Sequence, residues 1–353
     1  MERQLNSLRT SLRQAGLQGV IITEQPNLSW LYGGRFHVNL ASTTGLLSVL
    51  VTHDTVECLV PSNEFQRLQD EEGLVADTFH VYDWYDTATL NKRLNDWMST
   101  EGFILDSSWS KSFVRLRSQF DDSDLPFLKS MGRDVARAAE QVCRELSPND
   151  TECAVAARLA AHCYNQGLDP IVVLVAGELR GLLYKHPLPT SNPIGRIVIV
   201  SLCARKRGVV MSVTRMVSFS APSPAITRAY DAVVEIDSRM MASTRPGAPL
   251  RDIFETTKQA YGELGFPDEW KRHHQGGLAG YQSRELRLVP DLADEVQASQ
   301  IYAWNPTIPG VKSEDTIWVG QTENEILTYT GDFPVRQLVV NGRTCLKAEI
   351  LRR

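Results

Sequence analysis

The 353 residues exceed one ordinary domain and fall short of three, so two domains are expected. Hydrophobic residues make up 42% and charged residues 22%, the makeup of a packed chain, which excludes disorder. A formal net charge of −5, pI near 5.9 and mean hydropathy of −0.22 leave no basic footprint for nucleic acid. No apolar run approaches the roughly 20 residues of a membrane helix, and the charged start has no signal-peptide core. The expectation is a soluble, cytoplasmic protein with neither nucleic acid nor membrane as partner.

Leu5, Leu8 and Leu12 form one stripe, predicting a helix over 2–15 that Gly16 ends. Apolar runs predict strands at 19–23, 45–51, 56–60 and 103–106, with helical segments at 62–75 and 88–99. This alternation indicates an α/β domain over residues 1–125. The acidic stretch 121–126, ended by Pro126, is the expected linker. Beyond it, in residues 126–353, an amphipathic helix at 127–146 stops at Ser147-Pro148, and Asn149-Asp150-Thr151-Glu152 caps a second helix at 151–166. Strands at 170–175 and 196–201, helices at 222–243 and 249–264, and then short strands with Gly and Pro turns complete the chain. The six cysteines form no CxxC pair and read as buried or half-buried thiols without a structural zinc.

Chemistry concentrates in three segments where polar residues interrupt apolar strands or glycine turns. They are Tyr184-Lys185-His186-Pro187 with the strands after it, 271–285 with its vicinal His273 and His274, and Trp304-Asn305-Pro306 leading to Lys312-Ser313-Glu314-Asp315-Thr316. Gly276, Gly277 and Gly280 read as turn or close-approach residues, and Trp270, Trp304 and Trp318 as core or pocket wall. One of the two vicinal histidines is expected to be structural, with His274 as the inward one. Glu314 could also be a strand carboxylate paired with Arg215.

The order of these segments resembles the creatinase/aminopeptidase P/prolidase family across essentially the whole chain. The helix pair around 147–152, Ser212-Val213-Thr214-Arg215 (Asp-x-Thr-Arg in the family) and Glu314-Asp315-Thr316 carry the likeness. It implies an α/β creatinase-like N-terminal domain followed by an α+β catalytic domain of the pita-bread fold. The family's peptidases hold two divalent metals with Asp, Asp, His, Glu and Glu. By the resemblance these positions fall on Ser201, Ser212, His274, Asn305 and Glu314, and a further active-site His falls on Tyr281. Only His274 and Glu314 retain the type, and hard cations need several anionic oxygens. The resemblance therefore implies a member without metal and without another cofactor.

Creatinase itself works without metal on a C–N bond, and its catalytic His matches His186. An imidazole can pass a proton either way near neutrality, as acid/base catalysis requires. The expected function is thus a metal-independent, creatinase-like hydrolase or lyase acting on a C–N bond of a small amino-acid-like or amidino substrate. His186, His274, Glu314 and Glu285 are its candidate catalytic groups. Arg215, Arg284 and Lys312 are candidates to bind a substrate carboxylate, and Tyr281, Asn305, Ser201 and Ser212 offer neutral contacts. The alternatives are an Xaa-Pro aminopeptidase or dipeptidase of the metallopeptidase type, and a catalytically inactive pita-bread binding module. The resemblance also implies a homodimer.

Overall fold

The computed structural model describes all 353 residues and resolves into two compact units, one built on Met1–Ser118 and the other on Gln119–Lys206 and Val210–Arg353. In the first, α1 (Glu2–Ala15) buries Leu5, Leu8 and Leu12 and ends at Gly16, whose left-handed backbone returns its N–H to the last turn. The chain continues through β1 (Gly19–Glu24), α2 (Gln25–Tyr32), β2 (Thr44–Thr52), β3 (Val56–Pro61), α3 (Ser62–Glu72), β4 (Thr78–Tyr82), α4 (Thr87–Met98), β5 (Phe103–Leu105) and α5 (Ser110–Ser118). The strands form one sheet in the order β4-β3-β2-β1-β5, antiparallel at its centre and parallel at both edges. Asp106, fully buried, fixes the β1–α2 corner by accepting from the backbone N–H of Thr23 (3.0 Å) and Glu24 (2.9 Å) and from Asn27 Nδ2 (2.9 Å). The sequence pattern does not disclose α2, β4 or α5. The first opens with Gln25-Pro26-Asn27 and buries polar as well as apolar side chains, so it shows no amphipathic stripe.

In the second unit the expected linker is ordered. Asp121 caps a 3₁₀ turn at Asp122–Asp124, accepting from Ser123 N–H at 2.8 Å, and the turn runs directly into α6 (Leu125–Glu145). Thr151 caps α7 (Glu152–Asn165) through Ala154 N–H at 3.1 Å. Then follow β6 (Asp169–Gly177), α8 (Glu178–Leu183), β7 (Ile197–Lys206), β8 (Val209–Ser218), α9 (Pro224–Ser243) and α10 (Leu250–Glu263). The remaining strands are β9 (Gly276–Ala279), β10 (Leu286–Arg287), β11 (Ile301–Trp304), β12 (Thr307–Ile308), β13 (Val311–Lys312), β14 (Asp315–Val319), β15 (Asn324–Ile326), β16 (Val335–Val340), β17 (Arg343–Ala348) and β18 (Leu351–Arg352). One sheet has the order β18-β8-β7-β6 and another β10-β9-β11-β14-β15, with α9 and α10 packed on the apolar core beneath. An isolated bridge, Thr214 N–H to Glu314 O at 3.0 Å, ties β8 to the approach of β14.

All six thiols are free. Cys153 is exposed, contrary to the expectation that all would be buried or half-buried, because it lies on the outer face of the first turn of α7.

Gly276 and Gly277 have φ of 103° and 152°. A Cβ at Gly276 would lie 2.1 Å from Ala303 O, and one at Gly277 would lie 2.0 Å from Leu286 O. Only the absence of a side chain lets β9 lie between its neighbours at this point. Gly276→Ala is therefore expected to cost about 3 kcal/mol of unfolding free energy, read as a lower urea midpoint at unchanged slope.

Candidate functional site

Strand alternation builds the centre of the site. On β7, Ser201 and Cys203 share one face; on β8, Ser212 and Thr214 do the same. The two pairs meet, with Ser201 Oγ 2.7 Å from Thr214 Oγ1 and Ser212 Oγ 3.2 Å from Cys203 Sγ. The segment 312–316 lies across them with the same period. Lys312, Glu314 and Thr316 turn toward the hydroxyls, whereas Ser313 and Asp315 turn to the opposite side.

Glu314 is 2% exposed and has both carboxylate oxygens occupied. Arg284 NH2 donates to Oε1 at 2.9 Å, while Lys312 Nζ (2.7 Å) and Thr214 Oγ1 (2.8 Å) donate to Oε2. Burial pushes this carboxyl up, but Lys312 and Arg284 outweigh it and hold the group down to about 2. Arg284 NH1 also reaches Ser212 Oγ at 3.2 Å, and Lys312 Nζ reaches Ser201 Oγ at 3.3 Å. The two cations expected to clamp a substrate carboxylate thus serve one internal carboxylate. A pair between Glu314 and Arg215 does not form.

Arg215 lies on the other side of the strand, 4% exposed. It donates to Glu140 (3.1 Å), Asp315 (2.9 Å) and the carbonyls of Thr214 and Thr328 (3.0 Å each), which removes it from substrate binding. The expected role fails because the pleat turns residue 215 away from residues 212 and 214. Ser313 donates to Asp237, which pairs with Lys347 at 2.6 Å, both residues being fully buried.

Glu285 closes its own turn, with Oε1 accepting from the N–H groups of Tyr281 (2.9 Å) and Gln282 (3.1 Å). Tyr281, half-buried, stacks on Phe120 with centroids 6.2 Å apart. Asn305 is 4% exposed, and its Oδ1 has no hydrogen-bond partner.

The histidines form a second cluster. His186 follows α8 and is exposed; His273 ends a 3₁₀ turn at Glu269–Arg272 in extended backbone and is 7% exposed; His274 is half-buried. The extended backbone at 273 makes His273 the more buried ring, while His274, the expected inward one, is the one acted on by Glu314 and Arg284. His273 Nε2 lies 3.2 Å from His186 Nε2, and the 273 and 274 rings stack with centroids 4.4 Å apart. Burial lowers all three, with Lys312 adding to it at His186 and His273. Arg284 adds to it at His274, which is pushed down to about 4 against the pull of Glu314. Gln275, which sequence reasoning missed, holds this loop: its Oε1 accepts from Tyr261 at 2.9 Å and its Nε2 donates to Trp270 O at 3.3 Å. His273, Cys203 and Thr214 were also missed as site residues. For the last two, spacing of two from Ser201 and Ser212 was the available signal.

The histidines end an open pocket of about 460 Å³, walled by Phe254, Trp270 and Leu288 and edged by Lys185, Lys271 and Arg272. A separate cleft of about 20 Å³, room for a water, reaches Ser201 and Lys312. Trp304 is core, fully buried and donating to Thr244 Oγ1 at 3.0 Å, and Trp318 is 4% exposed.

The model of metallopeptidase family M24 matches residues 127–321, and that of the creatinase/prolidase N-terminal domain matches residues 4–130. An uncharacterized peptidase, YqhT, of Bacillus subtilis is 23% identical over 93% of this chain and 98% of its own. The Xaa-Pro dipeptidase of Pyrococcus horikoshii is 20% identical over 94% and 98%. Among solved structures, the prolidase from Pyrococcus horikoshii has a TM-score of 0.77 at 17% identity, covering 93% of this chain and 98% of that one. The N-terminal domain of FACT complex subunit SPT16 from chickpea has a TM-score of 0.71 at 12% identity, covering 94% and 95%. These likenesses establish the fold, a creatinase-type N-terminal domain and a pita-bread domain.

The buried histidines and Glu314 predict an acid-labile fold. Histidines lowered in the folded state lose neutral-form stability as pH falls through 6.5, and Glu314 adds to the loss below 4.5 as pH approaches 2. Denaturant midpoints should fall across both ranges, and Glu314→Gln should flatten the lower one. At pH 7 that variant leaves Lys312 and Arg284 uncompensated, so it should be less stable by about 3–5 kcal/mol in the same measurement.

Proposed function

The chain belongs to metallopeptidase family M24 and carries the family's creatinase/prolidase N-terminal domain, and on that premise we propose a hydrolase that cleaves a C–N bond without metal. One observation carries this reading: Glu314, the carboxylate at a family metal position, has both oxygens engaged by the side chains of Lys312, Arg284 and Thr214. Of the other four positions, Ser201, Ser212 and Asn305 are neutral and weakly basic, and His274 adds a single imidazole. This donor set does not fit a pair of hard divalent cations, which need several anionic oxygens.

Proton transfer then falls to the histidines. His186 faces the pocket, and the ring behind it, His273, is within hydrogen-bond distance and orients it as a positioning residue. Depressed basicity keeps His186 neutral at pH 7, ready to take a proton from water attacking an amide or amidino carbon and to return it to the departing nitrogen. His274 lies beside it as a second proton donor or acceptor. The charged edge of the pocket, Lys185, Lys271 and Arg272, supports a small substrate bearing a carboxylate. The Xaa-Pro dipeptidase among the relatives supports cleavage beside an amino-acid carboxylate. The same reading keeps the protein a cytoplasmic homodimer, the latter to be checked by light scattering.

The expected result is turnover that persists in excess chelator, measured on a panel of Xaa-Pro dipeptides, N-acyl amino acids and amidino acids. His186→Ala should lower it by about 100- to 10,000-fold. Turnover that requires added manganese, or an unaffected His186→Ala variant, overturns the reading. The saturation of Glu314 also favours a second reading, a binding module without turnover, in which substrate-like ligands bind equally well to wild type and to His186→Ala.

A further inference from the structure

We propose that His186, His273 and His274 form a binding site for one zinc-class transition-metal ion, beside the Glu314 centre. One ligand nitrogen from each ring lies within 4.8 Å of the others. A tetrahedral ion bonded at about 2.0–2.1 Å holds neighbouring nitrogens about 3.3 Å apart. The Nε2 atoms of His186 and His273 stand 3.2 Å apart already. Bringing in the third nitrogen from the 4.8 Å limit closes about 1.5 Å, which rotation about the side-chain bonds of the half-buried His274 can supply.

A further observation supports a ligand here. Nδ1 of the half-buried His274 is buried without a hydrogen-bond partner, so that ring keeps a nitrogen available to an ion. Three neutral imidazoles and no carboxylate select zinc, cobalt, nickel or copper over magnesium, calcium or manganese. In the His186–His273 hydrogen bond one ring donates. On metal binding that ring carries its proton on Nδ1 instead, and all three nitrogens offer a lone pair with no net proton released.

The fourth position opens to the 460 Å³ pocket. Lys312, Lys185 and Arg284 stand near the rings and oppose a dication, only Glu314 opposing them, so an anion is the favoured fourth ligand. The site rests on ring placement alone. Its consequence rests on the proton-transfer reading above: an ion that takes the His186 lone pair withdraws the proton carrier, making zinc an inhibitor.

The test is titration of the metal-free full chain with cobalt(II), followed by visible absorption, with zinc as competitor. One equivalent should give the intense bands of tetrahedral cobalt, bleached by zinc. Affinity should drop by more than about 100-fold in His186→Gln, whose exposed position spares the fold, and in His273→Ala once its thermal melt shows it folded. Ser201→Ala should bind cobalt as the wild type does. Absence of saturable binding, two equivalents per chain, equal binding by His186→Gln, or loss in Ser201→Ala would each overturn the site. None of these readouts depends on turnover, so failure here is distinct from failure of the proposed reaction.

Discussion

The second unit is organised around a single electrostatic requirement, the neutralisation of a carboxylate taken wholly out of water. Glu314 cannot stay ionised at 2% exposure without compensation, and an unpaired charge there would cost several kcal/mol. Lys312 and Arg284 supply that compensation at 2.7 and 2.9 Å. Each in turn reaches a strand hydroxyl, Ser201 or Ser212, so the hydroxyl faces of β7 and β8 are in register with the ion cluster. Remove the carboxylate and the two cations repel one another across a dry space. Remove a cation and the strand hydroxyls lose a donor as well.

The same short segment carries a second charge system on its reverse side. Asp315 meets Arg215, which also pairs with Glu140, while Ser313 meets the fully buried Asp237–Lys347 pair. A two-residue period therefore sorts five consecutive side chains, Lys312 to Thr316, between two polar networks separated by one strand. A one-residue slip would exchange the networks and leave both with the wrong partners, so the register is strongly specified here.

Much of this molecule is legible from its sequence where the signal is periodic. The leucine stripe of α1, the caps at Thr151 and Gly16 and the apolar strands β1 to β3 lie where the pattern puts them. The failures have physical causes. Helix α2 buries polar side chains through a distant partner, Asp106, which no local window contains. Which of the two vicinal rings is more buried depends on the backbone at 273, extended after a 3₁₀ turn, and composition does not encode that choice. Arg284 and Lys312 were recognisable as important cations. That Arg284 serves Glu314 follows only from the meeting of segments 30 residues apart, and for Lys312, two residues from Glu314, a sequence reading naturally turns such a group outward, to a ligand.

A counter-ion attached by its own side chain differs from one drawn from solution in having no dissociation equilibrium. Lys312 and Arg284 are present at one copy each per chain, whatever the composition of the medium, and dilution cannot remove them. Their local concentration is set by covalent geometry. The positive charges that hold Glu314 ionised are consequently in place as soon as the chain folds.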